Sequence, residues 1–100
     1  MERYNKLVRD KIPELLDSNG ISYEKRIATA EEYRAELIKK LQEEISEFLE
    51  TPNSEELADI LEVVKALEKL PEFTNTEEVR KKKLAERGGF DEKIILKGEK

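Results

Sequence analysis

The chain has no cysteine, no histidine and no tryptophan among its 100 residues. Without cysteine there is neither a disulfide scaffold nor thiol chemistry. With histidine also missing, the usual ligands of zinc and iron centres are gone. Nucleophilic catalysis of the Ser-His-Asp or Cys-His kind is excluded with them. Proline and glycine are sparse, at three and four residues, and there is no repeat, long linker or low-complexity tract. No apolar run approaches the ~20 residues that a membrane span needs. The opening Met1-Glu2-Arg3-Tyr4-Asn5 does not have the pattern of a signal peptide. A cytoplasmic protein with no membrane partner is therefore expected. Any chemistry has to run on carboxylates, Lys, Arg, Tyr, Ser or Thr, and on bound metal.

Charge is what the chain has in abundance. Charged residues make up 43%, and 24 acidic against 19 basic side chains leave a net charge of −5. That balance disfavours a dedicated nucleic-acid binder, so no nucleic-acid partner is expected. A length of 100 residues suits a single domain, 1–100, with a modest core.

Hydrophobic periodicity and turn residues divide the chain into four helices. The first starts at Asp10 as N-cap and runs to about Ser18; Pro13 is tolerated in its first turn, and Asn19-Gly20 stops it. Thr29 with Glu32 forms a capping box that opens a long helix over 30–50. Thr51-Pro52-Asn53-Ser54 is a turn, with Ser54 capping a third helix over 55–70 that Pro71 follows. Thr74 or Thr76 opens a fourth, which ends near Gly88-Gly89. Residues 21–28, with Tyr23 and Ile27 among charges, and 92–97, around Ile94-Ile95-Leu96, read as two short strands that pair. The expected fold class is all-α in the main: a helical bundle built from an antiparallel helix hairpin, with a small two-stranded β appendage. A lone hairpin buries one face poorly, so two chains are expected to pair into a four-helix bundle, as a homodimer or homotetramer. The alternative is a monomer in which the first and fourth helices cover those stripes.

Two acidic pairs stand out, Glu44-x-x-Glu47 and Glu56-x-x-Asp59. Spacing of i, i+3 puts both carboxylates of a pair on one face of a helix. Measured from the turn, Glu47 and Glu56 are near level, as are Glu44 and Asp59, so four carboxylates converge. At an effective dielectric near 20, two such charges ~4 Å apart repel by about 4 kcal/mol. A charge run on a helix is usually a solvated face, and acidic pairs are common here. The helical wheel separates these from the rest. Glu44 falls between Tyr33 and Leu37, inside an apolar stripe that continues through Ile38, Leu41, Ile45, Phe48 and Leu49. Glu56 falls between Val63 and Leu67, inside the stripe of Leu57, Ile60, Leu61, Val64 and Leu70. Glu47 and Asp59 flank them. A carboxylate on a buried face is costly unless it is paired or binds a metal. Oxygen-only ligation favours Mg²⁺ or Mn²⁺.

Glu43-Glu44-Ile45-Ser46-Glu47 followed by Glu55-Glu56-Leu57-Ala58-Asp59 resembles the E-E-x-x-E…E-x-x-D signature of the all-α nucleotide pyrophosphohydrolases, which include MazG-like and phosphoribosyl-ATP pyrophosphohydrolase enzymes. Tyr4-Asn5-Lys6-Leu7-Val8-Arg9-Asp10-Lys11-Ile12-Pro13-Glu14 and Arg87-Gly88-Gly89-Phe90 resemble a branch labelled phosphoribosyl-ATP pyrophosphohydrolase-like, so the similarity spans nearly the whole chain. The resemblance implies a dimeric or tetrameric helical bundle with Mg²⁺ held by Glu44, Glu47, Glu56 and Asp59. It also implies hydrolysis of the α–β phosphoanhydride of a nucleotide to a monophosphate and pyrophosphate. Lys83-Leu84-Ala85-Glu86-Arg87 matches the K-[FL]-x-x-R segment that contacts phosphates in MazG-like members. The eight residues between the acidic pairs are fewer than in many relatives, and few aromatics are available to stack on a base.

For the chemistry, one carboxylate has to accept a proton from water. Glu43, beside the ligand pair on the outer side of its helix, is the candidate base, with Glu44 the central acid. Lys83 and Arg87 share a face at i, i+4, while Arg9 and Lys11 lie at the start of the first helix, where free N–H groups also favour phosphate. Two rival functions use the same residues: a noncatalytic helical interaction or regulatory module, and a nucleotide sensor that binds without turnover.

Overall fold

The computed structural model describes residues 5–99. Four α-helices follow in order: α1 (Ile12–Ser18), α2 (Ala30–Glu50), α3 (Ser54–Glu68) and α4 (Thr76–Arg87), with a 3₁₀ turn at Pro71–Phe73. The fold is all-α among the described residues, and no helix there is long and apolar enough to cross a membrane.

Local chemistry accounts for most helix ends. The Thr29 side chain accepts a hydrogen bond from the Glu32 N–H at 3.2 Å, as its capping role requires. The Glu32 carboxylate does not complete the box. It turns instead to Arg26, whose guanidinium donates to it through two nitrogens, one at 2.6 Å. On α3 the cap is Asn53, not Ser54: Asn53 Oδ1 accepts from the Glu56 N–H at 2.9 Å. On α1 the N-cap is Lys11, not Asp10. Its C-terminus closes in a Schellman arrangement, with the Ile21 N–H donating to Leu16 and the Gly20 N–H to Asp17. Gly20 takes the left-handed conformation this needs, at φ 67°.

The two-stranded appendage does not form: neither 21–28 nor 92–97 is strand. The Ile21 N–H is already used in closing α1, and Lys93 adopts φ 59°, which breaks the extended run around Ile94. Ile27, Ile95 and Leu96 are each more than 90% or about 90% exposed, so no apolar face rewards pairing. An isolated two-stranded ribbon is marginal in water without such a face.

α2 against α3 is the one extensive helix–helix contact among the described residues. Only the short connection Thr51-Pro52-Asn53 separates them in sequence. Leu37 on α2 and Val63 on α3 are the buried apolar side chains. Toward the far end, Phe73 joins Ile38, Leu41, Val64 and Leu67 around a small groove. Arg34 lies over the Phe73 ring at 5.9 Å and pairs with Glu72 at 3.2 Å, tying the 3₁₀ turn to α2. Near the connection the stripe stays open, with Ile45, Leu49, Leu57 and Leu61 exposed. The radius of gyration is 18.0 Å, against about 13 Å for a compact chain of this length. One copy of the chain therefore leaves much of its apolar surface uncovered.

Candidate metal centre

Three acids meet at the face between α2 and α3. One carboxylate oxygen from each of Glu44, Glu56 and Asp59 lies within 4.8 Å of the other two. Glu44 comes from the last half of α2, while Glu56 and Asp59 come from the opening turns of α3 at i, i+3. The Asn53 cap fixes the backbone N–H of Glu56 itself, so the cap that starts α3 also sets the position of one acid.

Glu44 is the buried member, at 8% exposure; Glu56 and Asp59 are half-buried. One Glu44 oxygen faces Lys40 Nζ at 3.7 Å. The other, Oε2, is buried with no hydrogen-bond partner, as is Oε2 of Glu56. Leaving a buried acceptor unsatisfied typically costs about 1–3 kcal/mol, and more when it is charged. Burial is the main cause that raises the Glu44 pKa, followed by the Glu47 charge; Lys40 opposes the rise and Asp59 adds to it. Glu56 is also raised, by desolvation first and then by the charges of Glu47 and Asp59. Convergent carboxylate oxygens, two of them buried and unpartnered, could hold a metal ion.

Glu47, expected as the fourth ligand, is exposed and stands outside the group of three. It is nonetheless close to two of them: its charge and a side-chain hydrogen bond with it both raise Glu44 and Glu56. Glu43 lies next to the cluster but faces lysines, with Lys6 Nζ at 3.8 Å and Lys40 Nζ at 3.7 Å.

The basic residues divide. Arg9 reaches the cluster directly, its Nη2 donating to Asp59 Oδ1 at 2.7 Å. Lys11 is exposed at the head of α1. Lys83 and Arg87 are exposed on α4, and neither forms an ion pair with the acids among the described residues. Three contributors were missed in the sequence. Lys40 was legible from its i, i+4 spacing to Glu44, and Asn53 from its place before the first helical residue. Lys6 had no local signal. A shallow groove beside the end of α1, lined by Asp17, Tyr23 and Lys25, lies elsewhere and gathers no comparable donor set.

Comparison with protein-family models, with curated proteins and with solved structures finds no match.

Proposed function

We propose that this chain is a Mg²⁺-dependent nucleotide pyrophosphohydrolase of the cytoplasm. It would cleave the α–β phosphoanhydride of a ribo- or deoxynucleoside triphosphate, or of a related nucleotide such as phosphoribosyl-ATP, to a monophosphate and pyrophosphate. The observation that carries the proposal is the pair of buried, unpartnered oxygens on Glu44 and Glu56 beside Asp59. The resemblance of the two acidic motifs to the MazG-like enzymes supplies the reaction.

Glu44, Glu56 and Asp59 would hold the ion, with Glu47 completing the set. When bound, the ion neutralises the triphosphate and makes a water more acidic. Glu43, which faces Lys6 and Lys40 beside the acids, would accept a proton from the attacking water. Arg9 and Lys11 on one side, and Lys83 and Arg87 from α4, balance the charge of the leaving pyrophosphate. The active form is a homodimer or homotetramer in which paired α2–α3 hairpins form a bundle. The exposed Ile45, Leu49, Leu57 and Leu61 support that assembly.

A second reading is favoured by the ion pairs Arg9–Asp59 and Lys40–Glu44, which already balance part of the acidic charge. On that reading the chain is a helical interaction module, and the acids are salt-bridge partners. A hydrolysis screen separates the two. Nucleoside triphosphates and phosphoribosyl-ATP are offered with Mg²⁺ to the wild type and to Glu44→Gln, and products are resolved by chromatography. Pyrophosphate and a monophosphate from the wild type alone are expected. Nucleotide binding without turnover would identify a sensor, and neither binding nor turnover would favour the interaction module.

A further inference from the structure

We propose that Arg9 is the tethered counter-ion of the acidic centre: it competes with a divalent cation for Asp59 and, once displaced, takes a phosphate of the ligand that arrives with the metal. The inference rests on the metal centre proposed above and assigns it an internal competitor.

Arg9 Nη2 sits 2.7 Å from Asp59 Oδ1, across 50 residues of sequence. The same short segment is held beside the centre a second time, through Lys6 and Glu43 at 3.8 Å. Its other end is fixed by the Arg9 carbonyl, which accepts the Ile12 N–H at 3.1 Å at the start of α1. The backbone of Arg9 is therefore held while its side chain, 58% exposed, has room to swing. An exposed ion pair of this kind is weak, because water competes for both partners. A dication facing Glu44, Glu56 and Asp59 together has three attractions where Arg9 has one, so it wins the carboxylate. Repulsion then drives the guanidinium away from the ion, but the tether keeps it within a side-chain length. A guanidinium in that place matches a phosphate through two parallel hydrogen bonds. The consequence is opposite signs: Arg9 weakens binding of the bare metal and strengthens binding of metal with phosphate.

The test uses the full chain, with Mn²⁺ and then Mg²⁺–pyrophosphate as probes in calorimetry. Arg9→Gln is compared with Arg26→Gln, which removes the same charge from a pair with Glu32 that takes no part in the centre. Arg9→Gln should bind Mn²⁺ about two- to fivefold more tightly, the range of an exposed ion pair. It should bind Mg²⁺–pyrophosphate roughly tenfold more weakly, the loss of a charge-assisted contact. Arg26→Gln should change neither. Unchanged or weaker Mn²⁺ binding in Arg9→Gln, with the wild type binding normally, would overturn the competition and leave the metal centre standing. Equal effects from both variants would reduce Arg9 to general surface charge and overturn it too. No Mn²⁺ binding by any of the three proteins would instead remove the metal centre and this proposal with it.

Discussion

Replacing Glu44 by glutamine should make the protein more stable without metal and less responsive to it. In the wild type a carboxylate at 8% exposure has one oxygen near Lys40, at 3.7 Å, and one with no partner. The unsatisfied oxygen costs about 1–3 kcal/mol. Lys40 returns up to ~1 kcal/mol, because the 3.7 Å contact is too long for a strong charge-assisted hydrogen bond. Glutamine has nearly the same shape, carries no charge, and its amide N–H groups can donate to the neighbouring carboxylates. The expected gain is therefore roughly 1 kcal/mol, which corresponds to a rise of about 4–8 °C in Tm for a domain of this size. The assay is urea and thermal unfolding in chelator at one fixed protein concentration, since association would shift both. A second series adds Mg²⁺ or Mn²⁺. At ten times its Kd the ion stabilises the wild type by about 1.4 kcal/mol, and Glu44→Gln should gain little of that. A variant less stable than wild type in chelator, with an undiminished response to the ion, would refute the reasoning. Glu44 would then be an anchor for Lys40 and not a strained acid.

The same strain sets a pH dependence. The folded pKa values of Glu44 and Glu56 are raised, so each adds stability that is fully present below the ordinary glutamate pKa. That stability is lost as pH climbs through the raised value. The advantage of Glu44→Gln over wild type, measured in chelator, should accordingly open as pH rises through that window and close below it. Asn53→Ala removes the cap of α3 and should cost about 1 kcal/mol. It should also weaken Mn²⁺ binding in calorimetry, because the lost bond is made to Glu56 itself. Leu61→Glu places a charge in the exposed stripe of α3, where Leu61 is 54% exposed. It should leave helicity by circular dichroism intact and shift sedimentation toward the monomer.

Glu44 and Glu56 were legible because helical geometry alone put them on the apolar side of their helices, and the fold keeps them there. Arg9 on Asp59 was not, since a contact across 50 residues leaves no trace in local spacing. The paired strands failed for the opposite reason. Ile27 and Ile94–Leu96 have the β-branched and apolar character of strand residues, yet strand propensity is realised only against a packed neighbour. Ser54 and Asn53 show a finer limit. Both are good caps, and the choice between them turned on which side chain lies one position before the first helical residue. The fourth helix was legible up to its glycine stop but not at its start, where Thr74 and Thr76 both stood open and Asn75 is the N-cap; nothing in its periodicity says what its Val79 and Leu84 should touch.

The short connection Thr51-Pro52-Asn53 does more than join two packed helices: it fixes the phase of one against the other. A residue inserted within a helix turns everything after it by about 100° and advances it by about 1.5 Å. With so little slack in the connection, an inserted residue absorbed by α3 would swing Glu56 and Asp59 away from Glu44, leaving an acidic surface on one helix and a stranded carboxylate on the other. Even a near-whole turn of about four residues would restore the phase but carry the acids ~6 Å along the axis, more than the 4.8 Å that now spans them, so added length here should be harmless to the cluster only when looped out.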